Sequence, residues 1–548
     1  MAYHCGEVMS SKGNRSEERD LPMNDKEGQK MKKALSILLA VGFLVLVGVG
    51  AWAAGPLIMG TTDRVTELSF ENSYDAFTWH VLRHTTGALV KLDDQTLETV
   101  GDLAQSWDVS ADGKVYTFHL RPGLKFWNGK DCDAQAVKFA LDRTIRLNGP
   151  NGGVGLIKPY IKTIEAVDKL TVRITLTYAD AVFLSRMTSQ VAPALIYSLD
   201  PSVGENDFTL GRYAGTGPYK LVEYKPDQYV KYEAYAGYYG PAPKSREVIE
   251  VMYSDAATLR AAIEAGDVDF VFRTLAPQDI QDMKKNPSVI VEYWPPSPGI
   301  RYLLFNVTQP PVDNVLVRRA ISYAVDRQTI ITQVFSGVVN PIYTMVPNVD
   351  PPFFGALPTF PERDLEVARG LLTEAGYSNA KPVQLNLWYT PSHYGTFEAD
   401  VATVVKGSLE ETGMIKITIQ SLEWGAYVTR MGQGGFDLFF LGWHPDYLES
   451  SNFLAPWLTE APEPMGTYMN HHPNFEAYKQ MLELATSTVD IAERSGLYKA
   501  VQILSTNDVP WVPLWSMTDE MVTARQPNVK GIKLTITMDI STYLIYKE

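Results

Sequence analysis

WPPSPGIRYLLFNV, residues 294–307, divides the chain into two halves of the same kind. Pro295, Pro296 and Pro298 fix φ and remove backbone donors, which suits neither a helix nor the inside of a sheet. From Ile300 the apolar run reads as a strand. A proline-rich crossing that runs straight into a strand is the pattern of an inter-domain linker, so an α/β unit is expected on each side.

On the N-terminal side, helix Tyr74–Thr86 is expected, ended by Gly87. QSWDVSADGKVYTFHLRPGLKFWNGK (105–130) alternates around the Asp112-Gly113 turn and predicts a hairpin. DAQAVKFALDRTI (133–145) predicts a helix capped by Asp133. IKTIEAVDKLTVRITLTY (161–178) gives two further strands, so residues 89–190 form a small α+β unit. GPYKLVEYKPDQYVKYEAY (217–235) is an antiparallel pair. EVIEVMY, AATLRAAIEAG and VDFVFR (247–273) make a β-α-β unit.

On the C-terminal side, helices Val315–Val325, Leu365–Ala375 and Glu398–Glu411 alternate with strands VQLNLWY (383–389) and IKITIQSLEW (415–424). A long helix is expected near Phe475–Thr506. PWVPLW (510–515) and GIKLTI (531–536) are expected to return to the first α/β region. FDLFFLGWHPDYLESSNFL (436–454) is an apolar run of the kind found in a strand covered on both faces. It opens onto His444, Pro445, Asp446 and Tyr447. A carboxylate between aromatic rings at a strand exit is either a turn or helix cap, or an acid that grips a ligand.

The 548 residues are 45% hydrophobic and 20% charged, enough for about two to four domains of ~100–200 residues. A net charge of −14 argues against non-specific nucleic-acid binding, which needs a basic surface. Lys30, Lys32 and Lys33 precede the uncharged apolar stretch Ala34–Gly50, and Ala51-Trp52-Ala53 follows. That order is the secretory signal pattern, with cleavage before Ala54 expected. The rival is an uncleaved tether, since Leu35–Ala54 is long enough to span a bilayer. Met31 is an alternative start. No cysteine ends the apolar run, so a lipoprotein attachment site is not expected. Cys5 and Cys132 are the two cysteines. Beyond the leader that leaves one thiol, expected to be inert.

Catalytic signatures are scarce. There is no H-E-x-x-H and no G-x-S-x-G. Gly123–Lys130 imitates a phosphate loop with one residue too many between its glycines and Asp131 in place of Ser/Thr. His80 and His84 at i, i+4 have a spacing that can hold a metal, but with no third ligand nearby they read as surface or core histidines. No cofactor and no metal are expected.

Five stretches together resemble a known family: LAQSWDVSADGKVYTFHLRPGLKFWNGK (103–130), GTGPYKLVEY (215–224), VDNVLVRRAISYAVDRQTII (312–331), ARGLLTEAGY (368–377) and SLEWGAYVTRMGQGGFDLFFLGWHPDY (421–447). Their order is that of the extracytoplasmic solute-binding proteins of the peptide/nickel ABC-transporter family, family 5. The resemblance implies a two-lobed periplasmic-binding-protein-like α/β fold of class II type, with a smaller α+β domain inserted in the first lobe. The expected division is 1–53 leader or anchor; 60–88, 191–297 and 515–548 lobe I; 89–190 insert; and 298–514 lobe II.

In oligopeptide-binding relatives the Asp of a W-x-x-D-Y stretch pairs with the ligand's α-ammonium; the matching residue is Asp446, flanked by Trp443 and Tyr447. Trp424 matches a cleft-lining position, against a lobe-core role. Arg301 is either an exposed arginine or a partner for a ligand carboxylate. Trp127, Trp424 and Trp443 would stack on a sugar. Departures from the family pattern include Leu68-Ser69-Phe70 where Leu-Asp-Pro is usual, Ser450 after Glu449 where Pro is frequent, and Gly299 and His444 at positions that carry a disulfide in some relatives.

The resemblance implies a monomeric binding component of an importer, exported to the periplasm or cell surface. It would hand a small solute, a peptide being favoured, to permease subunits served by separate ATPases. An oligosaccharide or metal chelate is the alternative ligand. An exported carboxylate-dependent hydrolase, or a sensor or chaperone on the same fold, is the alternative class.

Overall fold

A computed structural model describes residues 55–548, apart from 94–95, 295–296, 350–353, 392, 460–467, 538–539 and the side chains of 519–520. The leader therefore lies outside the described residues. Among those described, no helix is long and apolar enough to cross a membrane.

Two large sheets carry the architecture. The first has seven strands in the order Tyr219–Lys225, Tyr229–Ala234, Glu247–Met252, Leu57–Thr61, Phe270–Phe272, Val522–Arg525 and Ile290–Tyr293. Leu57–Thr61 lies parallel to both Glu247–Met252 and Phe270–Phe272. The crossover between those two neighbours is helix Ala256–Ala265, started by Asp255 accepting from Thr258 N and ended by Gly266 at φ +81°. A positive φ there favours glycine, which lacks a Cβ to clash.

The second sheet has six strands: Asn340–Pro341, Trp511–Ser516, Ile300–Phe305, Leu438–Trp443, Val383–Tyr389 and Ile415–Ser421. Ile300–Phe305 is buried at every position and runs antiparallel to both neighbours. A smaller four-stranded antiparallel sheet, Ala104–Val109, Val115–Leu120, Thr171–Leu176 and Ile161–Asp168, is covered by helix Ala134–Leu147. Asp133 caps that helix through Gln135 N and Ala136 N, as its sequence predicts. The result is a two-lobed α/β fold with an inserted α+β unit.

Two expectations are corrected. Trp511–Ser516 does not return to the first sheet; it pairs with Ile300–Phe305 in the second. The single long helix is two, Phe475–Ser487 and Ile491–Asp508, broken where the Asp490 side chain accepts from Glu493 N and starts the second.

The chain passes from the first sheet to the second between strands Ile290–Tyr293 and Ile300–Phe305, and returns between Trp511–Ser516 and Val522–Arg525. The two crossings are tied together: Met517 N–H donates to Gly299 O at 2.9 Å and Trp294 N–H to Met521 O at 3.0 Å. Paired segments of this kind are where a hinge between lobes sits.

Candidate ligand site between the two lobes

The Leu438–Trp443 strand delivers the site. Leu438 to Leu441 are buried, and Gly442 and Trp443 begin to emerge. Three residues further on, Asp446 is half-buried. Its Oδ2 accepts from Asn452 Nδ2 at 3.2 Å and from the Tyr74 hydroxyl at 3.1 Å. Asn452 Oδ1 in turn accepts from Asp446 N at 2.9 Å and from the Trp443 indole at 3.2 Å. Asn452 thus holds Asp446 and Trp443 in one arrangement on the second lobe. Tyr74 belongs to the first lobe, so the carboxylate is reached from both sides.

Tyr74 was expected inside a helix, but the helix runs over Ala76–Thr85 and is capped by Asp75 through Thr78 N. Lying just ahead of that cap, Tyr74 is 36% exposed and turned toward the second lobe.

Tyr447 is fully buried with the first lobe's core cluster rather than its own. The Arg186 guanidinium lies 4.4 Å from the Tyr447 ring centroid and 3.8 Å from that of Tyr160, and its Nε meets Asp180 Oδ2 at 3.1 Å. Consecutive residues 446 and 447 are therefore met by side chains from across the lobe boundary.

Arg301 is buried, which corrects the exposed reading. Its Nη2 pairs with Glu398 Oε1 at 2.5 Å, and its guanidinium covers the Tyr394 ring at 3.7 Å. Burial holds the Glu398 carboxyl above its usual range despite the opposing charge of Arg301. The Tyr394 hydroxyl accepts from Gly442 N at 3.0 Å, which ties this group to the same strand exit. Trp424 opens helix Trp424–Gly432 and stacks on His393 at 3.7 Å with the rings 3° from parallel. Arg301, Trp424, Trp443 and Asp446 thus lie around one end of the second sheet. Trp127 is elsewhere. It packs on Tyr213 at 5.5 Å, its backbone N–H donates to Gly215 O, and it shares no ring contact or hydrogen bond with the Asp446 group among the described residues.

Gly299 and His444 are neighbours, since a Cβ on Gly299 would come within 2.2 Å of the His444 ring. A histidine fills the space that a second side chain would need.

His80 and His84 are core residues facing Glu250 from one face of their helix. His80 Nε2 lies 2.9 Å from Glu250 Oε1, and the Tyr232 hydroxyl donates to Glu250 Oε2 at 2.8 Å. Both His84 nitrogens lie 3.0 Å from carbonyl oxygens, of His80 and Ile540. His84 Nε2 also lies 3.4 Å from Thr542 N, so this ring too is enclosed by partners from the protein. Burial pushes the Glu250 carboxyl up, but the charge and hydrogen bond of His80, with His84 and Tyr232, outweigh it and hold it below the usual range. The ligand atoms are close enough for an ion, yet the protein already supplies their partners.

Sequence reasoning missed Tyr74, Asn452, His393, Tyr394 and Glu398. Only the aromatic pair His393-Tyr394, in a loop after a strand, carried a signal; Tyr74 meets Asp446 across 372 residues of chain.

Two α/β lobes joined by paired crossings, with an acid at their boundary, define a hinged solute-binding protein. Residues 98–464 match the bacterial extracellular solute-binding proteins, family 5, and the chain belongs to that family. It is 32% identical over 438 residues to heme-binding protein A of Haemophilus influenzae, covering 75% of this chain and 78% of the relative. It is 30% identical over 508 residues to the glutathione-binding protein GsiB of Shigella dysenteriae, covering 90% and 95%. The solved structure of the periplasmic binding protein DppA from Helicobacter pylori, in complex with the peptide STSA, superposes with a TM-score of 0.76 at 26% identity, covering 90% of this chain and 98% of that one.

Proposed function

We propose that the chain captures a short peptide or peptide-like solute in its interlobe cleft and delivers it to an ABC permease, with Asp446 receiving the ligand's ammonium group. The observation that carries this reading is the position of Asp446: an acid at the lobe boundary, held by Asn452 on one side and Tyr74 on the other. An ammonium leaving water for a closed cleft needs a charged acceptor. Ligand that touches both lobes shifts the open–closed equilibrium toward closure. Relatives named for glutathione and solved with a peptide support the ligand class.

Trp443 and Trp424 give the ligand aromatic surface beside the acid. Arg301 pairs with Glu398 through Nη2 and fixes Tyr394 and the strand exit, while its Nε and Nη1 find no hydrogen-bond partner among the described residues and stay open to a ligand carboxylate. The protein acts as an exported monomer without a catalytic step, and its partner is the permease with its separate ATPases.

A thermal-shift screen of di- to tetrapeptides, glutathione, oligosaccharides and metal chelates tests this. A ligand at about 100 times its Kd stabilises by ~2.7 kcal/mol, so peptides with a free amino terminus should raise the melting point. Stabilisation by oligosaccharides or chelates alone would overturn the peptide reading.

A further inference from the structure

We infer that Tyr74 and Arg186 set the strength of lobe closure by gripping the consecutive residues Asp446 and Tyr447, and so tune affinity without a contact specific to any one ligand. The inference rests on hinge closure as proposed above, but not on the ammonium reading.

Asn452, which also holds Asp446, moves with the second lobe and keeps its bonds when the lobes part. Tyr74 moves with the first lobe, so its hydrogen bond to Asp446 Oδ2 exists only with the lobes together. Arg186 keeps Asp180 and the Tyr160 face in either state, and it gains the Tyr447 ring only on closure. A backbone bond from Ala181 N to Thr486 O at 2.8 Å crosses the same boundary nearby.

An ionised carboxylate has about four acceptor positions, so a ligand ammonium and the Tyr74 hydroxyl can be received together. Tyr74 then adds to the closed, liganded state rather than competing with the ligand. Its 3.1 Å separation is longer than the strongest charge-assisted O–H···O bonds. The expected contribution is accordingly modest, about fivefold to tenfold in affinity.

The principal variant is Tyr74→Phe. It removes one hydroxyl from a residue that is 36% exposed, so the fold is retained. Two readouts are needed. Small-angle scattering of the ligand-free protein should show Tyr74→Phe shifted toward a more open shape than wild type. Calorimetry with alanyl-leucine and its N-acetyl form should show the same fivefold to tenfold weakening for any form that binds, and no further loss when Tyr74→Phe is added to Asp446→Ala. Tyr447→Leu, which removes the ring that Arg186 covers, should open the ligand-free protein in the same way. Unchanged scattering together with unchanged affinity in Tyr74→Phe overturns the inference. So does an equal loss from Tyr74→Phe in the Asp446→Ala background. If Asp446→Asn leaves both peptides unaffected while Tyr74→Phe still opens the protein, the ammonium reading fails and the grip on closure stands.

Discussion

Glu250 in the first lobe and Asp446 at the lobe boundary are both acids set among aromatic rings, but they are held differently. Glu250 takes His80 and Tyr232 from its own lobe, with His84 beside it, and is fully buried. Glu398 repeats that pattern in the second lobe with Arg301. Asp446 differs in accepting hydrogen bonds from both lobes, through Tyr74 and Asn452, and in remaining half-buried. An acid whose partners share its lobe contributes to stability; an acid reached from both lobes is placed to respond to closure. The distinction concerns where partners come from, not how many there are.

The largest effect is expected at Glu398. Glu398→Ala leaves Arg301 buried without its counter-charge, and breaking a buried pair in this way costs about 3–5 kcal/mol. Denaturant unfolding should show that loss, and Arg301→Met combined with Glu398→Leu should recover most of it. A single variant as stable as wild type would remove Glu398 from the structural class.

Glu250→Gln should cost less, on the order of 1–3 kcal/mol, because the hydrogen-bonding shape survives while the charge does not. Its pH dependence is the sharper test. The folded-state pKa of Glu250 is depressed, so its contribution is fully present above the ordinary glutamate range and is lost as pH falls through the folded value. The stability gap between wild type and Glu250→Gln should therefore be widest near neutrality and close toward acid pH. A gap that widens on acidification would contradict the assignment.

The smallest effect is expected at Cys132. Burial pushes its thiol well above the usual range, with Asp133 and Asp102 adding to the shift. The thiolate needed for reaction is then scarce at neutral pH. Native protein should resist thiol labelling, and Cys132→Ser should change ligand affinity by less than about twofold. Rapid labelling of the folded protein would contradict this.

The sequence showed the elements whose information is local. The Asp112-Gly113 hairpin, the Asp133 cap and the apolar run ending at Trp443 follow from turn chemistry and side-chain periodicity. The break between the last two long helices was also written locally, since Asp490 precedes Glu493 in the spacing of a capped start. Apolar residues continuing on both sides concealed it. Trp511–Ser516 was unmistakable as a strand, but burial on both faces suits the interior of either sheet, so its pattern did not name its partner. Arg301 was misread because one arginine in an apolar strand looks like the strand's exposed end, while its partner Glu398 lies 97 residues away. Asp446 stood out locally as either a cap or a ligand-gripping acid, and the family resemblance favoured the second reading; Tyr74, which makes it a boundary residue, has no local signature.

The central claim is that Asp446 receives a ligand's positive charge at the lobe boundary. The direct measurement is calorimetric affinity of wild type and Asp446→Asn for alanyl-leucine and for N-acetyl-alanyl-leucine, with melting points as controls. Asp446→Asn keeps the shape and leaves the ammonium without its counter-ion, a loss of roughly 2–5 kcal/mol by analogy with other truncated charge pairs. The account predicts that loss for the free dipeptide, little change for the acetylated one, and an unchanged melting point. A lowered melting point with affinity for the free dipeptide intact would make Asp446 a structural residue and contradict the claim.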